Sequence, residues 1–328
     1  MKTEKALFSL AIIIPAFKID FFEKALFSLA NQTNKQFVIY VGDDASPDDI
    51  ESICLKFKNQ INIVYHRFEL NLGKKDLVGH WNRCLGLINN EEWIWLFSDD
   101  DLAEPDCVSC FYKALTNTNE AYDAYRFDIL KIDGNGSLLA ILPESPVLEN
   151  SYNLAYNILL ENRGVGIVDH IYRKAKFDEN KGYINFIFAQ ASDWATSIRF
   201  SNPNGIYTLK GPKVSWRYSS ENISGRAYLL SKKAIFGHLQ FLEWIKNEFK
   251  LEANYSVLEK NVINFKTLEQ NLWKTLKYHY RGIPITIIWT VAQRIKKIFN
   301  WNLIQSLVFC MKINYSVYVY NNKNKLNK

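Results

Sequence analysis

The 328-residue chain has no stretch of the roughly 18 apolar residues that a membrane-spanning helix needs. Near the N-terminus, Lys2 and Lys5 precede an apolar run. Glu4 interrupts that charge, Pro15 closes the run and no small-x-small cleavage site follows, so the run reads as a first strand and not as a signal peptide. No G-x-G-x-x-G follows that strand and no G-x-x-x-x-G-K-[ST] occurs anywhere, which argues against a dinucleotide cradle and a P-loop. Cysteine is scarce: five scattered residues make no disulfide framework and suit a reducing compartment. Cys107 and Cys110 have no second pair or His cluster to complete a zinc site, and read as neighbours on one helix face. Acid is missing from the tail. No Asp or Glu follows Glu269, so the net charge of +6 divides into ten positive charges beyond it and a net −4 before it. Such a split suggests a tail that meets an anionic surface.

What is present centres on Trp93-Ile94-Trp95-Leu96-Phe97-Ser98-Asp99-Asp100-Asp101. A short aromatic-rich apolar run has the length of a buried strand. It ends in three consecutive carboxylates, which repel one another unless something neutralises them. A divalent cation with hard oxygen ligands does so, and Mg²⁺ commonly brings substrate phosphates with it. A solvated acidic turn capping the next helix is the alternative.

Around this run, apolar segments alternate with helical ones. Strands are expected over Leu10–Ile14, Phe37–Val41, Ile61–Tyr65 and Trp93–Phe97, and helices over Phe21–Asn31 and Lys75–Leu87. Asp20 with Glu23 resembles a capping box, and Ser46, Pro47 and Asp49 look like the start of a second helix. This alternation means a parallel α/β sheet, whose ligands bind beyond the carboxyl ends of the strands. Pro15-Ala16-Phe17, Asp43-Asp44 and Asp99 to Asp101 all fall at such ends. A further strand is expected over Tyr122–Lys131, followed by a hairpin turn at Asp133-Gly134-Asn135-Gly136. From about Ser219–Ser224 the pattern turns helical, notably over Lys232–Phe249 and Tyr255–Tyr280. The octapeptide Glu4 to Ala11 recurs unchanged as Glu23 to Ala30 and promises strand lead-in at one site and helix at the other.

Several motifs resemble the inverting family-2 nucleotide-sugar glycosyltransferases. They are Ile12-Ile13-Ile14-Pro15-Ala16-Phe17, Ser28 to Thr33, Val41 to Ser46, Asn71-Leu72-Gly73 with Trp81-Asn82, Ser98 to Asp106, and Ala191-Ser192-Asp193-Trp194. The resemblance spans roughly residues 9 to 220. It implies a GT-A fold: α/β, Rossmann-like and nucleotide-binding, with a mixed, mainly parallel sheet flanked by helices. Residues 1–220 would be the transferase domain, 1–130 its nucleotide-sugar half and 131–220 its acceptor half. Residues 221–328 would be a helical, basic C-terminal extension.

The resemblance also implies roles. Pro15, Ala16 and Phe17 would line base and ribose, and Asp44 would accept a hydrogen bond from a uracil-type ring N–H. Asp99 would reach the ribose side, with Lys74 or Lys75 facing the diphosphate or simply solvated. Asp99, Asp100 and Asp101 are the metal candidates, for Mn²⁺ or Mg²⁺; either Asp99/Asp101 or Ser98/Asp100 supplies the Asp-x-Asp spacing. Asp193 would be the base that inversion requires, Ser192 standing where the family usually has Glu. Its alternative is a helix N-terminal acid. Arg217 belongs near the diphosphate or on an ordinary edge strand. His80, His170 and His238 read as isolated surface or packed residues.

The expected function is metal-dependent, inverting transfer of a sugar from a nucleotide-sugar, a UDP-sugar foremost, to a glycan or lipid-linked glycan acceptor. A bacterial surface-polysaccharide pathway is what the resemblance suggests. The expected location is cytoplasmic. The basic, aromatic segment 270–328 suits peripheral contact with an anionic membrane, or packing on the catalytic domain or a second subunit, so an oligomer is compatible. No nucleic-acid-binding module is visible. Rival readings are a non-catalytic glycan-binding or scaffold protein and an aspartate-dependent phosphotransferase.

Overall fold

The computed structural model describes residues 9–219, 231–251 and 261–326. The chain packs as two compact units. One comprises Met1–Ala155, Arg163–Asn185 and Thr196–Tyr218; the other comprises Tyr156–Asn162, Phe186–Ala195 and Ser219–Lys328.

The first four strands are β1 (Leu10–Ala16), β2 (Phe37–Asp43), β3 (Ile63–Arg67) and β4 (Trp93–Leu96). Between them run α1 (Phe22–Ala30), α2 (Ile50–Phe57) and α3 (Leu77–Leu85). Then follow β5 (Leu102–Ala103), α4 (Cys107–Asn117), β6 (Ala124–Ile132), β7 (Leu138–Ile141), β8 (Leu148–Glu149) and α5 (Ser151–Leu159). Next come β9 (His170–Arg173), α6 (Lys174–Asn180), α7 (Ser192–Phe200) and β10 (Ile206–Arg217). The later helices are α8 (Ser231–Glu248), α9 (Phe265–Lys274), α10 (Ile288–Phe299) and α11 (Leu303–Leu326).

The ten-stranded sheet has the order β3-β2-β1-β4-β9-β6-β10-β5, with β7 on β6 and β8 on β10. β1 is parallel to both β2 and β4, β2 to β3, and β6 to β10, whereas β9 runs antiparallel to its neighbours β4 and β6. The sheet is therefore mixed and mainly parallel, as expected. From β1 the chain winds outward to β2 and β3, then returns to the other flank as β4. The crevice where the order reverses lies at the carboxyl ends of β1 and β4.

Burial on both faces explains the strand sequences. Ile12, Ile14, Ile39, Val41, Trp93 and Trp95 share one core, and the Trp95 indole N–H donates to the Val168 carbonyl at 2.6 Å. The 133–136 turn does join an antiparallel hairpin, β6 to β7, with Asp133 Oδ1 accepting from the Asn135 and Ser137 amides. Cys107 and Cys110 are free thiols in α4.

Several expectations are corrected. α2 starts at Ile50 with Asp49 as its cap, because Ser46 is spent elsewhere: its hydroxyl donates to the Phe17 carbonyl and accepts from the Asp48 amide. α1 has Phe21, without a side-chain cap, where Asp20 was expected. β3 lies two residues later than expected, since the Ile61 amide still bonds to Phe57 at the end of α2. α3 is shorter than expected, beginning after Asp76, whose carboxylate caps the Gly79 amide. Arg217 ends a strand that is paired on both sides, not an edge strand. The expected helix 255–280 falls partly outside the described residues; within them α9 continues as a π turn, Thr275–His279. Of the duplicated octapeptide, residues 4–8 also fall outside them. Leu10 and Ala11 are strand, while their twins Leu29 and Ala30 are helix.

Gln32 ties this framework to the acidic segment. It is buried; its amide donates to the Glu104 carbonyl at 2.8 Å and accepts from the Val108 amide at 3.0 Å. Gln32→Ala orphans both groups and should lower unfolding stability by about 2–3 kcal/mol, measured by urea denaturation.

Candidate active site

The acids after β4 meet the chain leaving β1. Asp99 Oδ2 accepts from the Phe17 amide at 3.0 Å and the Lys18 amide at 2.9 Å. Lys18 Nζ lies 2.7 Å from Asp100 Oδ2 and 3.5 Å from Asp99 Oδ1, and the Ser98 hydroxyl donates to Asp100 Oδ1 at 2.6 Å. Asp101 Oδ1 accepts from the Arg217 amide at 2.8 Å, while Arg217 Nε donates to the Asp100 carbonyl at 2.7 Å. The Arg217 guanidinium also donates to the carbonyls of Asp133 and Gly134 and lies over the Phe21 ring.

All three carboxylates are buried. Burial, together with Asp100, pushes the Asp101 carboxyl well above the usual range; burial likewise raises Asp99 against the opposing pull of Lys18. Burial disfavours the charge of Lys18, but Asp99 and Asp100 outweigh it and hold its pKa above the ordinary lysine value. Three carboxylates stand here beside two cations, Lys18 and Arg217.

A metal cage of three or more His, Cys, Asp or Glu side chains is absent among the described residues. Mg²⁺ and related ions, however, are commonly bound by one or two carboxylates plus substrate phosphates. Adjacent hard-oxygen ligands carrying uncompensated charge fit such an ion.

The acidic pair at the end of β2 is engaged differently. Asp43 accepts from the Ser46 amide, the Tyr65 hydroxyl and Arg67. Asp44 Oδ1 accepts from the Leu72 amide at 2.8 Å and from Arg83; Asp44 Oδ2 accepts from the Gly73 amide at 2.8 Å. A Cβ on Gly73 would stand 2.7 Å from Asp44 Oδ2, so a larger residue there would displace that carboxylate. Burial above all pushes His80 down to about 4, so its neutral ring can accept from Arg83 Nε through Nδ1, at 3.0 Å.

The structure thus brings together Pro15, Ala16, Phe17, Asp44, Asp99, Asp100 and Asp101. The Ala16 carbonyl accepts from the Asp44 amide, and Phe17 is partly exposed. Lys74 is exposed in the loop that Asp44 holds, its amide bonded to Asn71 Oδ1. His80, His170 and His238 are all buried. Sequence reasoning missed Lys18, Arg67 and Arg83. Lys18 had one signal, as the first cation after a strand end already singled out.

Asp193 belongs to the second unit, in the first turn of α7, with Oδ1 accepting from the Trp194 amide at 2.9 Å. The loop before it is strained: Phe188, Ala189 and Ala191 have φ of 64°, 53° and 60°. A Cβ on Gly237 of α8 would fall 2.1 Å from the Ile187 carbonyl oxygen. Beside it, Gln240 accepts from the Ile187 amide at 2.7 Å.

The sequence profile of glycosyl transferase family 2 matches residues 11–168, the stretch that builds the acidic mouth. Residues 11–168 belong to glycosyl transferase family 2. A Campylobacter jejuni protein, GalNAc(5)-diNAcBac-PP-undecaprenol beta-1,3-glucosyltransferase, is similar at 23% identity over 284 residues, covering 81% of this chain and 88% of that one. The 1-349 portion of S. aureus TarS, solved with UDP and with UDP-GlcNAc, has a similar fold. Both comparisons give a TM-score of 0.66, at 16% and 15% identity, covering 96% of this chain and 92% of that one. GalNAc-T7, solved with UDP, GalNAc and Mn²⁺, superposes with a TM-score of 0.50 at 9% identity, covering 84% of this chain and 59% of that one. The chain is a glycosyltransferase of GT-A fold. The family match ends before Asp193.

Asp44→Ala in this glycosyltransferase should cost about 3 kcal/mol in urea unfolding without any nucleotide, because it strips two amides and Arg83 of a buried carboxylate. A change within about 0.5 kcal/mol, the scale of a surface substitution, would show that Asp44 does not hold the 70–75 loop.

Proposed function

We propose that this glycosyltransferase transfers a sugar from a UDP-sugar to a glycan or lipid-linked glycan, inverting the anomeric configuration. The observation that carries this reading is the run of three buried carboxylates at the β1/β4 crevice, inside the family-2 domain. The donor class is supported by the UDP and UDP-GlcNAc held by TarS, and the acceptor class by the undecaprenol-linked substrate in the C. jejuni relative's name.

In this reading Pro15, Ala16 and Phe17 line the base and ribose. Asp44 Oδ2, which receives one described hydrogen bond, keeps a lone pair for the uracil ring N–H. Asp99 serves the ribose side, and Lys74 faces the diphosphate. Asp100 and Asp101, with Asp99 beside them, would hold Mn²⁺ or Mg²⁺; GalNAc-T7 with its Mn²⁺ supports that choice. Such an ion, when bound, supplies Lewis-acid neutralisation of charge on the departing diphosphate. Lys18 and Arg217 add fixed positive charge beside the same acids.

Asp193 is the general base, taking the proton of the acceptor hydroxyl as that oxygen attacks the anomeric carbon from the face opposite UDP. The strained loop before it supports this role, since left-handed non-glycine residues concentrate at working sites. Transferase domain and helical extension divide near residue 220. The ten basic residues beyond Glu269 suit contact with an anionic membrane surface, and in this reading the enzyme works peripherally on the cytoplasmic face, where a lipid-linked acceptor is presented.

Transfer from a panel of UDP-sugars, with product configuration read by NMR, tests the whole reading; retention of configuration would overturn it. Asp193→Asn should lower turnover by about 10²–10⁴-fold with donor affinity nearly unchanged. Near-normal turnover would remove Asp193 from the mechanism. Replacing Asp100 and Asp101 together by Asn should abolish Mn²⁺-dependent UDP binding in calorimetry without unfolding the chain. Unchanged binding would refute the metal assignment.

A further inference from the structure

α11 has two apolar faces. One is buried: Phe309, Cys310, Ile313 and Val317 face its own unit, with the Phe309 ring 5.6 Å from Trp273 and 5.3 Å from Trp301. The other carries Ile304, Val308, Met311, Tyr315 and Tyr318, which are 74%, 40%, 57%, 70% and 65% exposed. Their spacing alternates four and three residues, so they form one narrow stripe along the helix, opposite the buried face. The folding of α11 is provided for by its inner face. The outer stripe is a contiguous apolar surface beyond what folding uses, and such a surface marks an interaction site.

We propose that this stripe is the element that enters the membrane interface, with α11 lying in the plane of an anionic bilayer. The proposal rests on the peripheral-membrane reading above and names the surface responsible. Charge selects the occupant. α11 carries no acid, the exposed Lys312 stands beside the stripe, and the sequence continues through Lys323, Lys325 and Lys328. Two copies of this face would bring like charges together with no acid on either helix to answer them. Anionic lipid headgroups answer them directly. The side chains also suit the location: two tyrosines place a polar tip at headgroup level above an apolar ring. No described helix is long and apolar enough to cross a membrane, so the geometry is that of a helix lying on the surface.

The test uses the full chain with vesicles of phosphatidylcholine alone and of phosphatidylcholine with phosphatidylglycerol in about equal parts. The wild type should co-sediment with the anionic vesicles and not with the neutral ones. Met311→Glu with Tyr315→Glu should weaken that binding by at least about tenfold, since two apolar contacts are replaced by charges that phosphatidylglycerol repels. Circular dichroism and UDP binding should stay unchanged. Should the glutamates disturb folding, Tyr315→Ser with Tyr318→Ser removes apolar surface without adding charge and should weaken binding in the same direction.

A wild type that ignores anionic vesicles overturns the membrane reading and this proposal with it. A wild type that binds, with variants that bind equally well, overturns the stripe assignment alone. Light scattering that shows a wild-type dimer, monomeric in the variants whose vesicle binding is undiminished, assigns the stripe to a second copy and overturns the proposal.

Discussion

The structure depends on keeping three carboxylates buried at the mouth of a parallel sheet. Buried charges are costly unless paired and hydrogen-bonded. The fold answers with main chain before side chain: Asp99 takes the first two amides beyond β1, and Asp101 takes the amide of the last residue of β10. Lys18 and Arg217 then add positive charge. Strand order and the acidic segment are thus one design, because only a topology that lays β4 beside β1 and brings the end of β10 to the same mouth supplies these donors. The compensation stops short of neutrality, since two cations stand among three carboxylates. That remainder makes the site receptive to cations.

Asp43 and Asp44 show the opposite economy. Their oxygens accept from a serine amide, a tyrosine, two arginines and the amides of the 72–73 turn, with Asp44 Oδ2 taking one described hydrogen bond. Here carboxylates are used as rigid acceptors that fix loops. The acidic pair after β2 and the acidic triplet after β4, at strand ends on either side of β1, therefore do different work, and the difference lies in which groups reach them.

Much of this was legible in the sequence. The strands announced themselves as short apolar runs because both faces of the sheet are covered, and the acids at their carboxyl ends announced the mouth. The hairpin at Asp133 to Gly136 was plain from turn chemistry. What could not be read was long-range pairing. Lys18 reaches across 82 residues to Asp100, and Arg217 across 117 to the Asp100 carbonyl; no local pattern distinguishes either from a solvated cation. Helix starts were misplaced where a capping residue had a stronger tertiary partner, as Ser46 has in Phe17. The duplicated octapeptide makes the same point: Leu-Ala is strand before Ile12 and helix before Asn31, because neighbours and burial decide between the two.

The bond from Arg217 to Asp101 spans 116 residues, and that separation is also an interval of time. At roughly 5–20 residues per second, a ribosome that has just released the acids needs on the order of 10 s to deliver their last donor. Asp99 and Asp100 are met at once, since Phe17 and Lys18 precede them in the chain. Asp101 waits. Until residue 217 is made, the donors that Arg217 gives to Asp101 and to the Asp100 carbonyl do not exist. The order of translation makes the closing strand the step that turns a collapsed sheet into a site.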